Sequence, residues 1–120
     1  MTNSATLTEL KVSLRKFAEA RDWEQFHQPK NLVLALVAEV GELAELFQWL
    51  TPTEAAQIME GLTDAARVRE ELADVFAYLL RLADVLAVDL AGALIEKMEI
   101  NDRKYPVHLS KGSSRKSSEL

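Results

Sequence analysis

Apolar residues recur at intervals of three and four through most of the chain, and that spacing predicts helices rather than strands. Leu7, Leu10, Leu14 and Phe17 mark a first helix over about Thr6 to Asp22, followed by a connector to Pro29 that carries Trp23, Phe26 and His27. A second helix, from near Lys30 to about Leu50, gathers Leu32, Leu36, Leu43, Leu46 and Leu50 along one side when residues are set about 100° apart. Thr51-Pro52 joins a capping residue to a proline at the first helical position and opens a short third segment, through about Met59, that Gly61 closes. Thr63 or Asp64 caps a fourth helix reaching about Ala87, with Leu72, Phe76, Leu79, Ala83 and Leu86 as its main apolar stripe. Asp89 caps a fifth from Leu90 to about Lys104, where Tyr105-Pro106 ends it. The pattern is that of an all-α fold.

Length and composition narrow the picture. A chain of 120 residues predicts one domain, here 1–108, and the Ser-, Lys- and Gly-rich residues 109–120 read as a flexible tail. A formal net charge of −5 disfavours a nucleic-acid or anionic-membrane partner. Cysteine is absent, which removes thiol nucleophiles, disulfides and Cys-based metal sites. With only His27 and His108 available, any metal site in one chain must be built from oxygen. The longest apolar run, Leu32 to Ala38, is far short of the roughly 20 residues a membrane span requires. The N-terminal residues lack the basic-then-apolar layout of a secretory signal, so the expected location is the cytosol.

Against that background the acidic residues of two helices stand out. Glu39 and Glu42 fall on or beside the apolar side of the second helix, and Glu71, Asp74 and Tyr78 form a second line on the fourth. Both helices thus carry an acidic pair at i, i+3 spacing. Carboxylates within an apolar stripe cost several kcal/mol unless something neutralises them. Packed antiparallel, the two helices would bring four carboxylates together with no basic residue in either quartet, a cluster that takes up protons or a cation. An all-oxygen set open to substrate phosphates suits Mg²⁺, or Mn²⁺, better than a closed calcium cage. A di-iron centre would need a Glu-x-x-His partner that neither histidine supplies. The plainer alternative is a pair of solvated acidic faces on a non-catalytic helical interaction module.

Glu39-Val40-Gly41-Glu42 followed, after residues 43–70, by Glu71-Leu72-Ala73-Asp74 resembles the signature of the MazG-like all-α nucleoside triphosphate pyrophosphohydrolases. Residues 21–29 (Arg-Asp-Trp-Glu-Gln-Phe-His-Gln-Pro), 39–49, 70–75 and 97–106 (Lys-Met-Glu-Ile-Asn-Asp-Arg-Lys-Tyr-Pro) are most similar to the dCTP pyrophosphatase branch. The resemblance implies a four-helix-bundle-like fold and cleavage of a deoxynucleoside triphosphate, dCTP first, to the monophosphate and pyrophosphate. It further implies Mg²⁺ held by Glu39, Glu42, Glu71 and Asp74, Trp23 and Trp49 around base and sugar, and Tyr78, Lys97 and Asn101 on the nucleotide. Arg103, Lys104 and Tyr105 are candidates to reach the triphosphate, the alternative for the two basic residues being plain partnership with the dipole at a helix C-terminus. The acceptor of the water's proton stays open, with Glu39 or Glu42 favoured. His27 reads as a hydrogen-bonded connector residue, and Leu14 occupies a position where some members of the branch carry a polar residue against the base. A related diphosphatase acting on dUTP or another base is the enzymatic alternative. Leu34, Val37 and Val40 lie off the main stripe, and such surplus apolar surface predicts assembly. The family precedent is a homodimer or homotetramer.

Overall fold

The computed structural model describes residues 4–120, and among these every regular element is helical. Helix α1 spans Leu7–Ala20, with the Thr6 side chain accepting a hydrogen bond from the Glu9 backbone N–H. It stops two residues short of Asp22 because Asp22 turns into the left-handed region, φ 54°. Helix α2, Pro29–Glu45, starts on its proline, whose missing N–H is no loss at that position.

Its end differs from the sequence expectation. After Glu45 the backbone tightens into i→i−3 bonds, Leu46 to Leu43 and Phe47 to Ala44, instead of running on to Leu50. The cause lies just downstream: Pro52 pushes Thr51 into extended backbone, from which its hydroxyl accepts from the Glu54 N–H while the Glu54 carboxylate accepts from the Thr51 N–H. This capping box opens α3, Pro52–Ala56, and a 3₁₀ turn, Ile58–Glu60, follows.

Helix α4, Leu62–Val85, is capped by Gly61 and not by Thr63 or Asp64. Gly61 is extended, and its carbonyl already accepts the first helical bond from Ala65 at 2.8 Å, which leaves Thr63 and Asp64 inside the first turn. Helix α5, Leu90–Lys104, begins as expected with the Asp89 carboxylate accepting from the Gly92 N–H. A one-turn helix α6, Val107–Ser110, follows Pro106, beyond any element the periodicity signals.

The chain divides into two compact units, one running to Ala87 and the other Val88–Leu120. In the first, α4 is packed by both α2 and α1. Its buried apolar residues are Ala18, Leu32, Val68, Leu80 and Ala83. The stripe read on α4 is corrected in part here, because Leu72, Phe76 and Leu86 are exposed and the off-stripe Val68 and Leu80 are buried, whereas Ala83 is buried as expected. A helix gripped by two neighbours buries the positions between them rather than its single most apolar line. On α2, Leu34, Val37 and Val40 are exposed, as expected of side chains off the main stripe. No helix among the described residues is long and apolar enough to cross a membrane.

Candidate active site

The packing of α2 on α4 brings Glu39, Glu42 and Glu71 together, one carboxylate oxygen from each lying within 4.8 Å of the others. Helical spacing does this locally: i, i+3 puts Glu39 and Glu42 on adjacent turns of one face, and Glu71 meets them from the facing helix. Glu39 Oε2 and Glu71 Oε2 are cut off from solvent and have no hydrogen-bond partner. Buried carboxylate oxygens without donors are rare in folded proteins, because each forfeits its hydration.

The electrostatics follow from that arrangement. Glu39 is pushed up to about 7 from 4.5, first by desolvation, then by sharing its proton with Glu42 and by the charge of Glu42, with Glu71 and Asp74 adding to the effect. Glu71 is also raised, by desolvation first and then by the charges of Glu42 and Asp74 against a hydrogen bond from Glu39 that lowers it. Asp74 therefore acts on the cluster as a like charge, although its carboxyl stands outside the close triple. Orphaned oxygens in a set of acids that repel one another fit a divalent, oxygen-preferring cation.

Asp74 faces instead a cleft of ≈ 290 Å³ between α1, the connector and α4, whose walls include Leu14, Phe17, Trp23, Ala77 and Tyr78. Trp23 stands edge-on to Phe17, ring centroids 5.7 Å apart, and edge-on to His27 at 6.3 Å. His27 is the hydrogen-bonded connector residue expected: its Nδ1 accepts from Arg81 Nε at 3.0 Å. Two neighbouring surfaces are thus joined at Asp74, one acidic and one apolar and aromatic. That combination suits a ligand with a charged polyphosphate end and a flat heterocyclic end.

The remaining sequence-derived residues lie elsewhere. Trp49 follows α2 in the turn before Thr51 and is 87% exposed. Lys97 and Asn101 sit on α5, with Tyr105 at its C-cap, and all three are exposed in the second unit. Arg81 escaped the sequence reading. It is 7% exposed, the only buried charged residue among those described, and lines the cleft. A signal was present, since Arg81 interrupts the run Leu79-Leu80-Arg81-Leu82-Ala83 and stands three residues after Tyr78 and seven after Asp74, on one helical face with both.

A family profile described as the MazG-like family matches residues 34–120 of this chain. The chain belongs to the MazG-like family. It is 53% identical over 125 residues to dCTP pyrophosphatase 1 of Homo sapiens, an alignment covering 96% of this chain and 68% of the human protein. The corresponding protein of Rattus norvegicus is 51% identical with the same coverage. In three dimensions the chain is similar to a pyrophosphatase from Archaeoglobus fulgidus, with a TM-score of 0.79 and 40% identity over 88% of this chain and 97% of that one. The all-α fold and the family read from the paired acidic motifs are both borne out by these matches.

Proposed function

We propose that the chain is a nucleoside triphosphate pyrophosphohydrolase that cleaves dCTP to dCMP and pyrophosphate, with Mg²⁺ as its resident cation. The observation that carries the reading is the convergence of Glu39, Glu42 and Glu71 beside a cleft walled by Trp23 and Tyr78, with Asp74 at the junction. Kinship to dCTP pyrophosphatase 1 at about half identity supports the choice of base. A non-catalytic module gains nothing from two desolvated, unpartnered carboxylate oxygens.

In this reading Glu39, Glu42, Glu71 and Asp74 hold Mg²⁺, with Mn²⁺ an acceptable substitute. The bound cation supplies charge neutralisation at the phosphate oxygens. The carboxylates orient a water in line with the α-phosphorus, and its oxygen forms the new P–O bond as the bond to the α–β bridging oxygen breaks. Pyrophosphate leaves with that electron pair. A glutamate of the cluster, Glu39 or Glu42, takes the water's proton. Trp23 offers the base a ring face, worth roughly 1–3 kcal/mol where stacking is complete. Tyr78 supplies a hydroxyl at the same cleft.

The family resemblance assigns Lys97, Asn101 and Tyr105 to the nucleotide and Trp49 to base and sugar, and their chemistry suits those roles: a compact cation for phosphate, an amide and a phenol for hydrogen bonds, and an indole for stacking. Residues 1–108 are taken as the catalytic domain and 109–120 as an appended tail, acting in the cytoplasm on the nucleotide pool. The exposed apolar side of α2, with Leu34, Val37 and Val40, supports assembly as a homodimer or homotetramer.

The test is pyrophosphate release from a panel of nucleoside triphosphates with Mg²⁺, followed by competition between dCTP and dUTP. The expected result is stoichiometric pyrophosphate and monophosphate with dCTP preferred. Absence of pyrophosphate from every nucleotide overturns the activity, and a preference for dUTP overturns the base assignment.

A further inference from the structure

Arg81 is buried on α4 with its guanidinium divided between two partners. Nη1 donates to Asp84 Oδ2 at 3.0 Å and Nε donates to His27 Nδ1 at 3.0 Å. Asp84 is itself engaged on both oxygens by Arg15 of α1, Nη2 to Oδ1 at 2.6 Å and Nε to Oδ2 at 3.0 Å. Two guanidiniums thus share one carboxylate. For a buried ion pair the cost of desolvation offsets much of the Coulomb gain, so stability alone is a poor reason to keep a cation this far inside.

The hydrogen bond to His27 gives the arrangement a direction. Because Nε–H donates, His27 Nδ1 must be the unprotonated nitrogen, so the ring is held as the Nε2–H tautomer and cannot flip without losing its partner. The fixed imidazole stands edge-on to Trp23, and Trp23 stands edge-on to Phe17. Trp23, His27, Phe17 and Arg81 all line the cleft that Asp74 and Tyr78 also face. The Trp23 backbone is tied to Ala18 and to His27, its N–H donating to the Ala18 carbonyl at 2.9 Å and its carbonyl accepting from the His27 N–H at 3.1 Å. Its half-exposed indole is flanked by the Phe17 and His27 rings, which limit its rotation.

We propose that Arg81 is a positioning residue for substrate: it locks His27, and through His27 it holds the Trp23 indole as a wall of the nucleotide cleft. The inference rests on the nucleotide-hydrolase reading for its kinetic consequence. Holding a stacking surface in the bound orientation lowers the ordering cost of binding and leaves the reacting phosphate untouched. Arg81 therefore governs KM and not the chemical step.

The experiment compares the intact chain with Arg81→Ala, His27→Ala and Arg15→Ala. His27→Ala cuts the relay while leaving the Arg81–Asp84–Arg15 cluster in place, so it carries the test if Arg81→Ala does not fold. Both relay variants are expected to raise KM for the preferred nucleotide about tenfold with kcat within twofold of wild type. In a Trp49→Phe background, where Trp23 is the sole tryptophan, both are expected to shift its emission and broaden its anisotropy decay. Arg15→Ala is expected to lower Tm while leaving KM and the Trp23 signal unchanged, which separates positioning from a general loosening of α1 on α4. The proposal is overturned if the relay variants keep a wild-type KM, if kcat and KM change only in step with the folded fraction, or if Arg15→Ala reproduces their effect. Failure of the wild-type chain to hydrolyse any nucleotide is a different outcome, because it overturns the activity itself.

Discussion

Cation binding is expected to depend on pH through Glu39, and the size of the effect can be worked out. In the free protein its carboxyl titrates at about 7, raised by desolvation and by Glu42, Glu71 and Asp74. At pH 6 about nine-tenths of the molecules carry that proton, and at pH 8 about one-tenth do. A cation must displace the proton, so the apparent dissociation constant scales as 1 + 10^(pKa − pH), about 11 at pH 6 against about 1.1 at pH 8. Mg²⁺ or Mn²⁺ should therefore bind about tenfold more weakly at pH 6 than at pH 8, with Glu71, also raised, steepening the dependence. Titration calorimetry in two buffers of different ionisation enthalpy gives the affinity and the proton count together. Release of roughly 0.9 proton per site at pH 6 and 0.1 at pH 8 is the expected result. Equal affinities at the two pH values with no proton released would refute the account of Glu39 as a protonated cation ligand.

The same shift has consequences for stability, and the sign is set by the direction. Glu39 is raised above its ordinary 4.5, so its contribution is fully present below that value and is lost as pH rises through about 7. His27 is depressed from 6.5 by desolvation and by Arg81, so its contribution is present above 6.5 and is lost as pH falls. The Glu39 part is isolated by subtraction: the difference in Tm between wild type and Glu39→Gln, without metal, should fall from pH 5 to pH 8, and a flat difference counts against the assignment. Glu42→Gln and Asp74→Asn should each lower kcat at least a hundredfold with helical circular dichroism unchanged, and retained turnover in either removes that residue from the site. Leu80→Ala, at a fully buried position, should cost about 2–5 kcal/mol in urea unfolding, and a loss below 1 kcal/mol would mean that α4 is not held where the structure puts it.

How much of this was legible in the sequence depended on whether the signal was local. The caps at Thr51 and Asp89 are each written within three residues, from the capping side chain to the backbone N–H it meets, and the structure uses both. Gly61 as the cap of α4 was missed because Thr63 and Asp64 have better capping side chains, yet the backbone had already turned helical before reaching them. The end of α2 was missed for a related reason: Leu46 and Leu50 keep helical spacing, so periodicity ran on past the point where Pro52 had begun to dictate the backbone. The convergence of Glu39, Glu42 and Glu71 was legible because acidic pairs at i, i+3 spacing beside the apolar faces of two helices meet when those helices pack, whereas Asp74, expected with them, stands outside the close triple.

Arg81 shows where sequence reasoning stops. Its value depends on His27 at a distance of 54 residues and on Arg15 at 66, separations that no periodicity encodes. A cation in an apolar run reads as a residue reaching outward for solvent, the usual fate of arginine on a helix. In the fold it turns inward because Asp84, one turn on, supplies the counter-charge that makes burial tolerable, and Arg15 on α1 keeps that carboxylate saturated. The apolar stripe on α4 misled for the opposite reason: Leu72 and Phe76 are as hydrophobic as Leu80, but α1 and α2 close over Leu80 and leave the others open. Pattern thus located the acids that repel one another, whereas the place of Arg81 is set by segments far apart in the chain: its guanidinium meets His27 of the connector and Asp84, and Asp84 is held in turn by Arg15 of α1.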